Sequence, residues 1–269
     1  LHKFSIMAFK PVLTDGLAIK VPPLVFKGFN ADIDGDAVSI HVPVSDEAVR
    51  ESATMFPSKN LWKPGGNELM MVPSQEASIG LYFLSKTNEG RDKINKLLPK
   101  KYHVTGQLDA KNAKDLFVRI AKEDPTHFAD LVGQLKSTGD THAYNIGFSA
   151  SLKDIDVNTK QRDALFAKAD KAVAQLKFRE KAGPAQDQKV SAIYQAAAQD
   201  AFNGSIKDQM KDSGSSFYHM VNSGARGNNL QLQQLLSAPG VLKDSRDRSI
   251  PVPVKKSYAE GLSTSDYFI

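Results

Sequence analysis

The sequence predicts an α+β protein in which short strands precede a mostly helical remainder. Residues 4–44 contain short apolar runs separated by turn residues, a pattern typical of strands in a small barrel or sandwich. Residues 87–142 and 158–210 instead carry apolar residues at helical spacing. The 269 residues, 41% hydrophobic and 24% charged, are enough for one large domain or two modest ones.

Composition excludes several kinds of site. The chain has no cysteine, which excludes disulfides, thiolate metal sites and cysteine nucleophiles and suits a reducing cytoplasm. No apolar run approaches the roughly 18 residues of a membrane helix, and the N-terminus lacks the regions of a signal peptide. The formal net charge of +5 leans mildly toward nucleic-acid partners.

The predicted strands come first along the chain and are followed by helices. Their apolar runs are 4–9, 12–13, 18–21, 24–26 and 38–44. Ser45 is then the predicted N-cap of a helix, and Ser74 is the predicted N-cap of a second helix over 74–86. Residues 87–142 are predicted to be mostly helical and polar.

Two apolar stripes within residues 158–210 predict an antiparallel helical hairpin. The first stripe comprises Leu165, Phe166, Ala169, Val173 and Leu176, and the second comprises Val190, Ile193, Tyr194, Ala197 and Ala201. Gly183-Pro184 breaks the helix between them, so the stripes are predicted to face each other across a short turn. Residues 222–257 are loop-rich.

From these patterns we divide the chain into 1–86, a helical connector over 87–157, the hairpin over 158–210 and a loop-rich segment over 211–269.

The sharpest chemical feature is the heptapeptide 30–36, NADIDGD, in which Asp32, Asp34 and Asp36 alternate. In a tight loop, residues two apart can converge on one point, and Gly35 permits the backbone angles of such a turn. Three packed carboxylates repel one another unless a hard cation neutralises them. Mg²⁺ suits them, because it accepts a few carboxylates and shares its other sites with water and phosphate.

Two other interpretations compete with a magnesium loop. A calcium EF-hand needs glycine at position 6 and glutamate at position 12. Counting from Asp32, the glycine falls at position 4 and Pro43 at position 12, which excludes the EF-hand. A solvated Asx turn remains open on this motif alone, because short Asp/Gly runs are common in loops.

The sequence around this loop resembles the signature of the bacterial β′ subunit of DNA-directed RNA polymerase. The usual family form reads NADFDGD, a short spacer and HVPLS, whereas this chain reads NADIDGD over 30–36 and HVPVS over 41–45. Ile33 replaces the family's phenylalanine, and all three aspartates are kept. Further similar segments follow in the family order at 1–3, 8–13, 23–25, 72–75, 80–82, 97–100, 147–149, 222–228, 258–262 and 267–269.

The resemblance implies that a double-psi β-barrel portion carries the loop and that the reaction is transfer of nucleotides from NTPs to the RNA 3′ end. It makes Asp32, Asp34 and Asp36 both catalytic residues and ligands of one Mg²⁺, with a second Mg²⁺ arriving on the NTP. The implied partners are a β-like subunit, other β′-like chains or segments, the DNA template and the RNA transcript. Because the chain starts at Leu1 and ends on apolar residues, we expect a fragment, a processed product or one piece of a split subunit. Compact linkers and a loose match to the cellular forms of the family indicate a bacteriophage polymerase, located in the host cytoplasm or packaged in the virion.

The resemblance also implies two substrate-binding residues. Asn30 matches the family asparagine that reads the ribose of the incoming nucleotide, and its amide can both donate to and accept from a 2′-hydroxyl. A turn-forming role is the alternative for Asn30. Arg226, within the segment SGARG, matches an arginine that contacts the nucleotide's phosphates, and a purely structural arginine is its alternative. A second family arginine is replaced here by Gln233, which puts a complete phosphate clamp in doubt.

The resemblance gives roles to the hairpin and to the last segment as well. The hairpin over 158–210 falls where the family has its rim helices, and 258–269 resembles the start of the bridge helix. A two-barrel RNA-dependent RNA polymerase shares the DxDGD loop, but the HVP and SGARG motifs favour the DNA-directed family. A non-catalytic assembly or nucleic-acid-binding module with a relict loop is the third possibility, and the intact aspartates argue against it.

Overall fold

A computed structural model describes residues 6–66 and 68–269, and the expected family segment at 1–3 lies outside them. The chain forms two compact units, Leu1–Ile146 and Gly147–Ile269. Helices predominate, and one small antiparallel sheet lies in the second unit, which agrees with the predicted α+β class. No helix within the described ranges has the length and apolarity needed to cross a bilayer.

The first unit is built from helices. In chain order they are a 3₁₀ turn Pro23–Val25, α1 Phe26–Phe29, α2 Asp46–Ser52, α3 Gln75–Leu84, α4 Asn88–Asn95, a 3₁₀ turn Lys100–Tyr102, α5 Ala110–Glu123 and α6 Phe128–Ile146. The predicted cap at Ser45 is confirmed, since its side chain accepts the Ala48 N–H. Ser74 occupies the N-cap position of α3 without a side-chain cap bond.

The core of the first unit joins α3, α4, α5 and α6. Its fully buried members include Leu81, Ile94, Ile120, Phe128 and Leu135. The predicted helical spacing over 87–142 is confirmed, because Leu116 and Ile120 of α5 and Phe128, Leu131, Val132 and Leu135 of α6 recur every three or four positions within their helices and pack into this core. Helices α3 and α6 approach to backbone contact where Gly80 faces Gly139.

The strands predicted over residues 4–44 are absent from the described residues 6–44. Residues 24–26 lie instead in helical turns that begin at Pro23, where proline's fixed φ and missing N–H favour a helix start. Elsewhere most of the apolar side chains remain exposed, including Val12, Leu13 and Leu17. Apolar runs supply the side chains of strands but not the neighbouring strand that must pair with their backbone groups. The double-psi barrel is therefore not observed in this part of the chain.

The second unit contains the helical hairpin and a β-hairpin. In chain order its elements are a 3₁₀ turn Leu152–Ile155, α7 Lys160–Arg179, α8 Pro184–Ala201, a π-helical turn Phe202–Ile206, α9 Lys207–Asp212, α10 Ser216–Asn222, α11 Asn229–Leu236, β1 Gly240–Lys243, β2 Ser249–Val254, a 3₁₀ turn Tyr258–Glu260 and α12 Thr264–Tyr267. The π-helical turn joins α8 to α9 without a break.

The predicted pairing of the two apolar stripes is confirmed in α7 and α8. Their buried side chains form one cluster that includes Phe166, Val173, Val190 and Tyr194. The chain reverses before Pro184, which occupies the first turn of α8. Proline is accommodated there because the first helical N–H groups have no intrahelical partner.

The region predicted to be loop-rich, 222–257, contains one helix and both strands of the sheet. Helix α11 begins with a capping box in which Asn228 and Gln231 each accept the other's backbone N–H, a start signal readable in the sequence. Strands β1 and β2 pair antiparallel with Val241 opposite Pro253. Proline usually disfavours a strand. In a two-stranded sheet, however, one edge of each strand has no neighbour, so a missing N–H on that edge breaks no hydrogen bond of the sheet.

Candidate functional site

The aspartate loop begins at the C-terminal end of α1. Asn30 caps this helix in the left-handed conformation, with φ of 51°. The N–H of Ala31 then donates to the Phe26 carbonyl over 3.0 Å, which satisfies a helix-end acceptor and turns the chain sharply. Asparagine tolerates this backbone conformation better than most residues. The helix end therefore fixes where the loop starts.

The loop is closed by its own first and last aspartates. The Asp36 Oδ2 accepts the Asp32 N–H over 2.9 Å, and the Asp32 Oδ1 accepts the Ile33 N–H over 2.8 Å. Between them Gly35 has φ of 120°, a conformation that side-chain-bearing residues rarely adopt. The side chain of Asp34 takes no part in either closing bond.

The donor chemistry of this loop suits a hard cation. Asp32, Asp34 and Asp36 are all exposed, and each ionised carboxylate has more acceptor sites than the loop-closing bonds use. Within the described residues, no three acidic or histidine side chains are gathered as a metal site. The residues present thus fit Mg²⁺ in kind and in local sequence, without a preassembled ligand set.

The loop that carries Arg226 lies in the second unit, between α10 and α11. The buried Ser223 accepts the Ala225 N–H through its hydroxyl and donates to the Met220 carbonyl over 3.0 Å. Gly224 and Gly227 have φ of 72° and 78° on either side of the arginine. Ser223 therefore anchors the start of the loop, while the Arg226 side chain is exposed and forms no ion pair with a described residue.

Gln233 has a structural role in the second unit. Only 4% of it is exposed, and its amide donates to the Ala238 carbonyl over 3.2 Å. The bond ties the end of α11 to the chain that enters β1. This side chain is turned into the unit, where it could not reach a phosphate in solvent.

Arg162 is a buried charge that sequence reasoning did not find. It lies near the start of α7, and only 3% of it is exposed. Its guanidinium is paired with Glu260, where Nη2 donates to Oε1 over 3.0 Å and Nη1 donates to Oε2. This hydrogen bonding from Arg162 is the main reason why the pKa of Glu260 falls from 4.5 to about 2. The partners are 98 residues apart, and no local pattern predicts such a pair.

A second charged contact ties α7 to the chain after β2. Lys255 donates to both oxygens of Asp170 over 2.7 and 2.8 Å, and the Tyr194 hydroxyl donates to the same carboxylate over 2.9 Å. Burial raises the pKa of Tyr194 to about 12, with help from the Asp170 hydrogen bond. Residues 255–260 are thus bound to one helix at two points, Asp170 and Arg162.

Known families and proteins match this chain at both sites. The family model described as RNA polymerase Rpb1, domain 2, matches residues 1–57, which include the aspartate loop. The model described as RNA polymerase Rpb1, domain 4, matches residues 172–264, which include the Arg226 loop.

Curated relatives match over the whole chain. The DNA-directed RNA polymerase subunit beta' of Fusobacterium nucleatum is 29% identical, that of Nitratiruptor sp. 31% and that of Treponema pallidum 28%. The chain spans 24%, 21% and 23% of the lengths of these three relatives. It therefore corresponds to less than a quarter of each.

Proposed function

Because the chain belongs to the family of multisubunit RNA polymerase largest subunits, we propose that it supplies the catalytic-metal portion of a DNA-directed RNA polymerase. The observation that carries this proposal is the loop 30–36, whose three exposed aspartates lie inside the segment that matches Rpb1 domain 2. The substrates are NTPs, and the partners are a β-like subunit, further β′-like polypeptide, template DNA and the growing RNA. The identities of 29% and 31% to bacterial subunits show a divergent chain, and we propose that a bacteriophage encodes it.

The residues of this chain divide the work of nucleotidyl transfer. Asp32, Asp34 and Asp36 would hold Mg²⁺, which when bound favours ionisation of the RNA 3′-hydroxyl and offsets charge on the reacting phosphate. The Asn30 amide donates to and accepts from the ribose 2′-hydroxyl. Arg226 binds the triphosphate through its forked donors. The 3′-oxygen then attacks the α-phosphorus, and pyrophosphate leaves.

We propose that the exposed apolar segments on either side of the aspartate loop complete a double-psi barrel together with neighbouring polypeptide. Between 12 and 19 the exposed fraction is 85% for Val12, 99% for Leu13 and 57% for Ile19, and these residues have no strand partner. Extended backbone with free N–H and C=O groups readily accepts an additional strand. Assembly would bury these side chains and hold the loop rigidly. The α7–α8 hairpin would take the position of the rim helices.

The assembled complex provides the test. We would purify it through a tag on this chain and measure ribonucleotide incorporation on DNA and on RNA templates, with and without Mg²⁺. We expect incorporation that requires both DNA and Mg²⁺. Incorporation directed only by RNA would instead favour the RNA-dependent polymerase, and no incorporation on either template by an intact complex would support a non-catalytic module.

The choice between NTP and dNTP tests the role of Asn30. Asn30→Gly removes the amide but keeps a residue that accepts φ of 51°. We expect discrimination between NTP and dNTP, measured as the ratio of kcat/KM values, to fall at least about tenfold, because no group is left to bond the 2′-hydroxyl. Asn30→Ala should lose discrimination too and also strain the helix end by about 1 kcal/mol. Full discrimination in the glycine variant would leave Asn30 with the turn role alone.

A further inference from the structure

The end of α11 is fixed by a charged residue from another element of the second unit. Ser237, the C-cap of this helix, is fully buried, and its carbonyl accepts Nη1 of Arg162 over 2.9 Å. The last carbonyls of a helix lack intrahelical partners and carry partial negative charge, so a guanidinium at this position is doubly favourable. Arg162 thereby binds α7 to the C-terminal end of α11.

The hydrogen bonds of Arg162 account for all of its donors. A guanidinium has five N–H groups. Nε and Nη2 donate to Asp163 over 2.9 and 2.7 Å, Nη1 and Nη2 donate to Glu260, and Nη1 donates to Ser237. A buried cation with every donor satisfied holds one orientation, because any rotation would leave a buried N–H without an acceptor.

Glu260 ties a third element, the 3₁₀ turn Tyr258–Glu260, to the same guanidinium. Its Oε2 also accepts the backbone N–H and the hydroxyl of Ser257, over 3.0 and 2.8 Å. The 3₁₀ turn Tyr258–Glu260 packs against α11, and Ala259 lies against the buried Leu232 and Leu236 cluster. Arg162, which belongs to α7, therefore binds both α11 and this turn.

We propose that Arg162 is a positioning residue that holds α11, and with it the Arg226 loop, in place for phosphate binding. This inference rests on the proposed function, because Arg226 is there the residue that contacts the NTP. Arg226 lies two residues before Asn228, the N-cap of α11. Helix α11 has only eight residues, so a fixed C-terminal end sets the position of the loop about 12 Å away. Arg162 acts through α11 and touches no substrate.

A double-mutant cycle between Arg162 and Arg226 in the purified complex tests the proposal. We choose Arg162→Lys, which keeps the charge, and Arg226→Ala. We expect Arg162→Lys to raise the KM for NTP at least about fivefold with a smaller change in kcat. In the Arg226→Ala background the same change should have little further effect, because the phosphate contact is already lost. Equal effects in both backgrounds would overturn the proposal, since they would show a role independent of Arg226.

Lys255→Met is the matched control, because it breaks the other ion pair between α7 and the chain after β2. We expect its effect on the NTP KM to be less than about twofold, since Lys255 donates its hydrogen bonds to Asp170 of α7. An effect equal to that of Arg162→Lys would show that any loosening of residues 255–260 suffices, and the specific role of Arg162 would be wrong.

Hydrogen exchange on the full chain separates this proposal from the proposed function. We expect Arg162→Lys to speed exchange at least about tenfold over residues 223–236, with α3 and α6 of the first unit unchanged. Unchanged exchange over 223–236 would overturn the positioning role even if the complex makes RNA. Faster exchange in Arg162→Lys, together with a wild-type complex that makes no RNA, would refute the polymerase function while leaving the tie between Arg162 and α11 in place.

Discussion

Asp34→Asn in the assembled complex is expected to lower RNA synthesis by roughly 1,000-fold, because a lost ligand charge removes about 4 kcal/mol of stabilisation from the reacting phosphate. Asp34 is the informative position among the three. Asp32 and Asp36 accept the backbone N–H groups that close the loop, whereas Asp34 does not. Asparagine has nearly the same shape, so the variant removes a charge and leaves the closing bonds intact. Single-turnover nucleotide addition is the measurement.

The chain offers a matched control for this change. Asp15 is exposed and precedes Gly16, whose φ of 115° is close to the 120° of Gly35 after Asp34. Asp15→Asn makes the same chemical change in a similar local backbone and should leave synthesis within about twofold of wild type. Synthesis by Asp34→Asn at the rate of this control would contradict the metal role of the loop.

Metal binding can be measured independently of RNA synthesis. Fe²⁺ in place of Mg²⁺ would reduce added hydrogen peroxide to hydroxide and hydroxyl radicals at the site, with added ascorbate returning Fe³⁺ to Fe²⁺, and the radicals would cut the chain close to residues 30–36. We expect such cuts in the wild-type complex and in Asp15→Asn, and their loss in Asp34→Asn. Cuts that persist unchanged in Asp34→Asn would show that its carboxylate does not help to hold the ion.

Helices were predictable from this sequence because their signals are local. The stripes at 165–176 and 190–201 and the break at Gly183-Pro184 lie within one hairpin, and the structure confirms them. The strands predicted over 4–44, in contrast, do not form in the described residues 6–44. Strand formation depends on a neighbour that apolar runs such as Val38–Val44 do not specify, and those side chains remain exposed.

In the candidate site, too, local features could be predicted from the sequence and long-range contacts could not. The type and spacing of Asp32, Asp34 and Asp36 are properties of five consecutive residues, so the sequence can indicate a cation. The pairing of Arg162 with Glu260 depends on how α7, α11 and a distant turn pack, and their separation of 98 residues leaves no periodic trace. Of this arrangement, the sequence indicates only the capping box, through the spacing of Ser257 and Glu260.

Gly139→Ala is expected to destabilise the first unit by about 3 kcal/mol, because one methyl group would overlap the backbone of a packed helix. A Cβ atom at Gly139 of α6 would lie 2.3 Å from the Ala77 carbonyl oxygen of α3. The approach is even closer in the other direction, where a Cβ atom at Gly80 would lie 1.8 Å from the Gly139 carbonyl oxygen. Backbone atoms cannot rotate away as a side chain can, so the two helices must separate and loosen the core around Leu81.

Gly133→Ala provides the opposite expectation on the same helix. A Cβ atom there meets nothing within 4 Å, so the change should stabilise the unit by up to about 1 kcal/mol through helix propensity. The chain has a single tryptophan, Trp62, which packs against the core of the first unit, so its fluorescence during urea unfolding reports on this unit. We expect the midpoint to fall for Gly139→Ala and to rise slightly for Gly133→Ala. Equal midpoints for the two variants would show that α3 and α6 do not depend on backbone contact, and the close packing at Gly80 and Gly139 would be wrong.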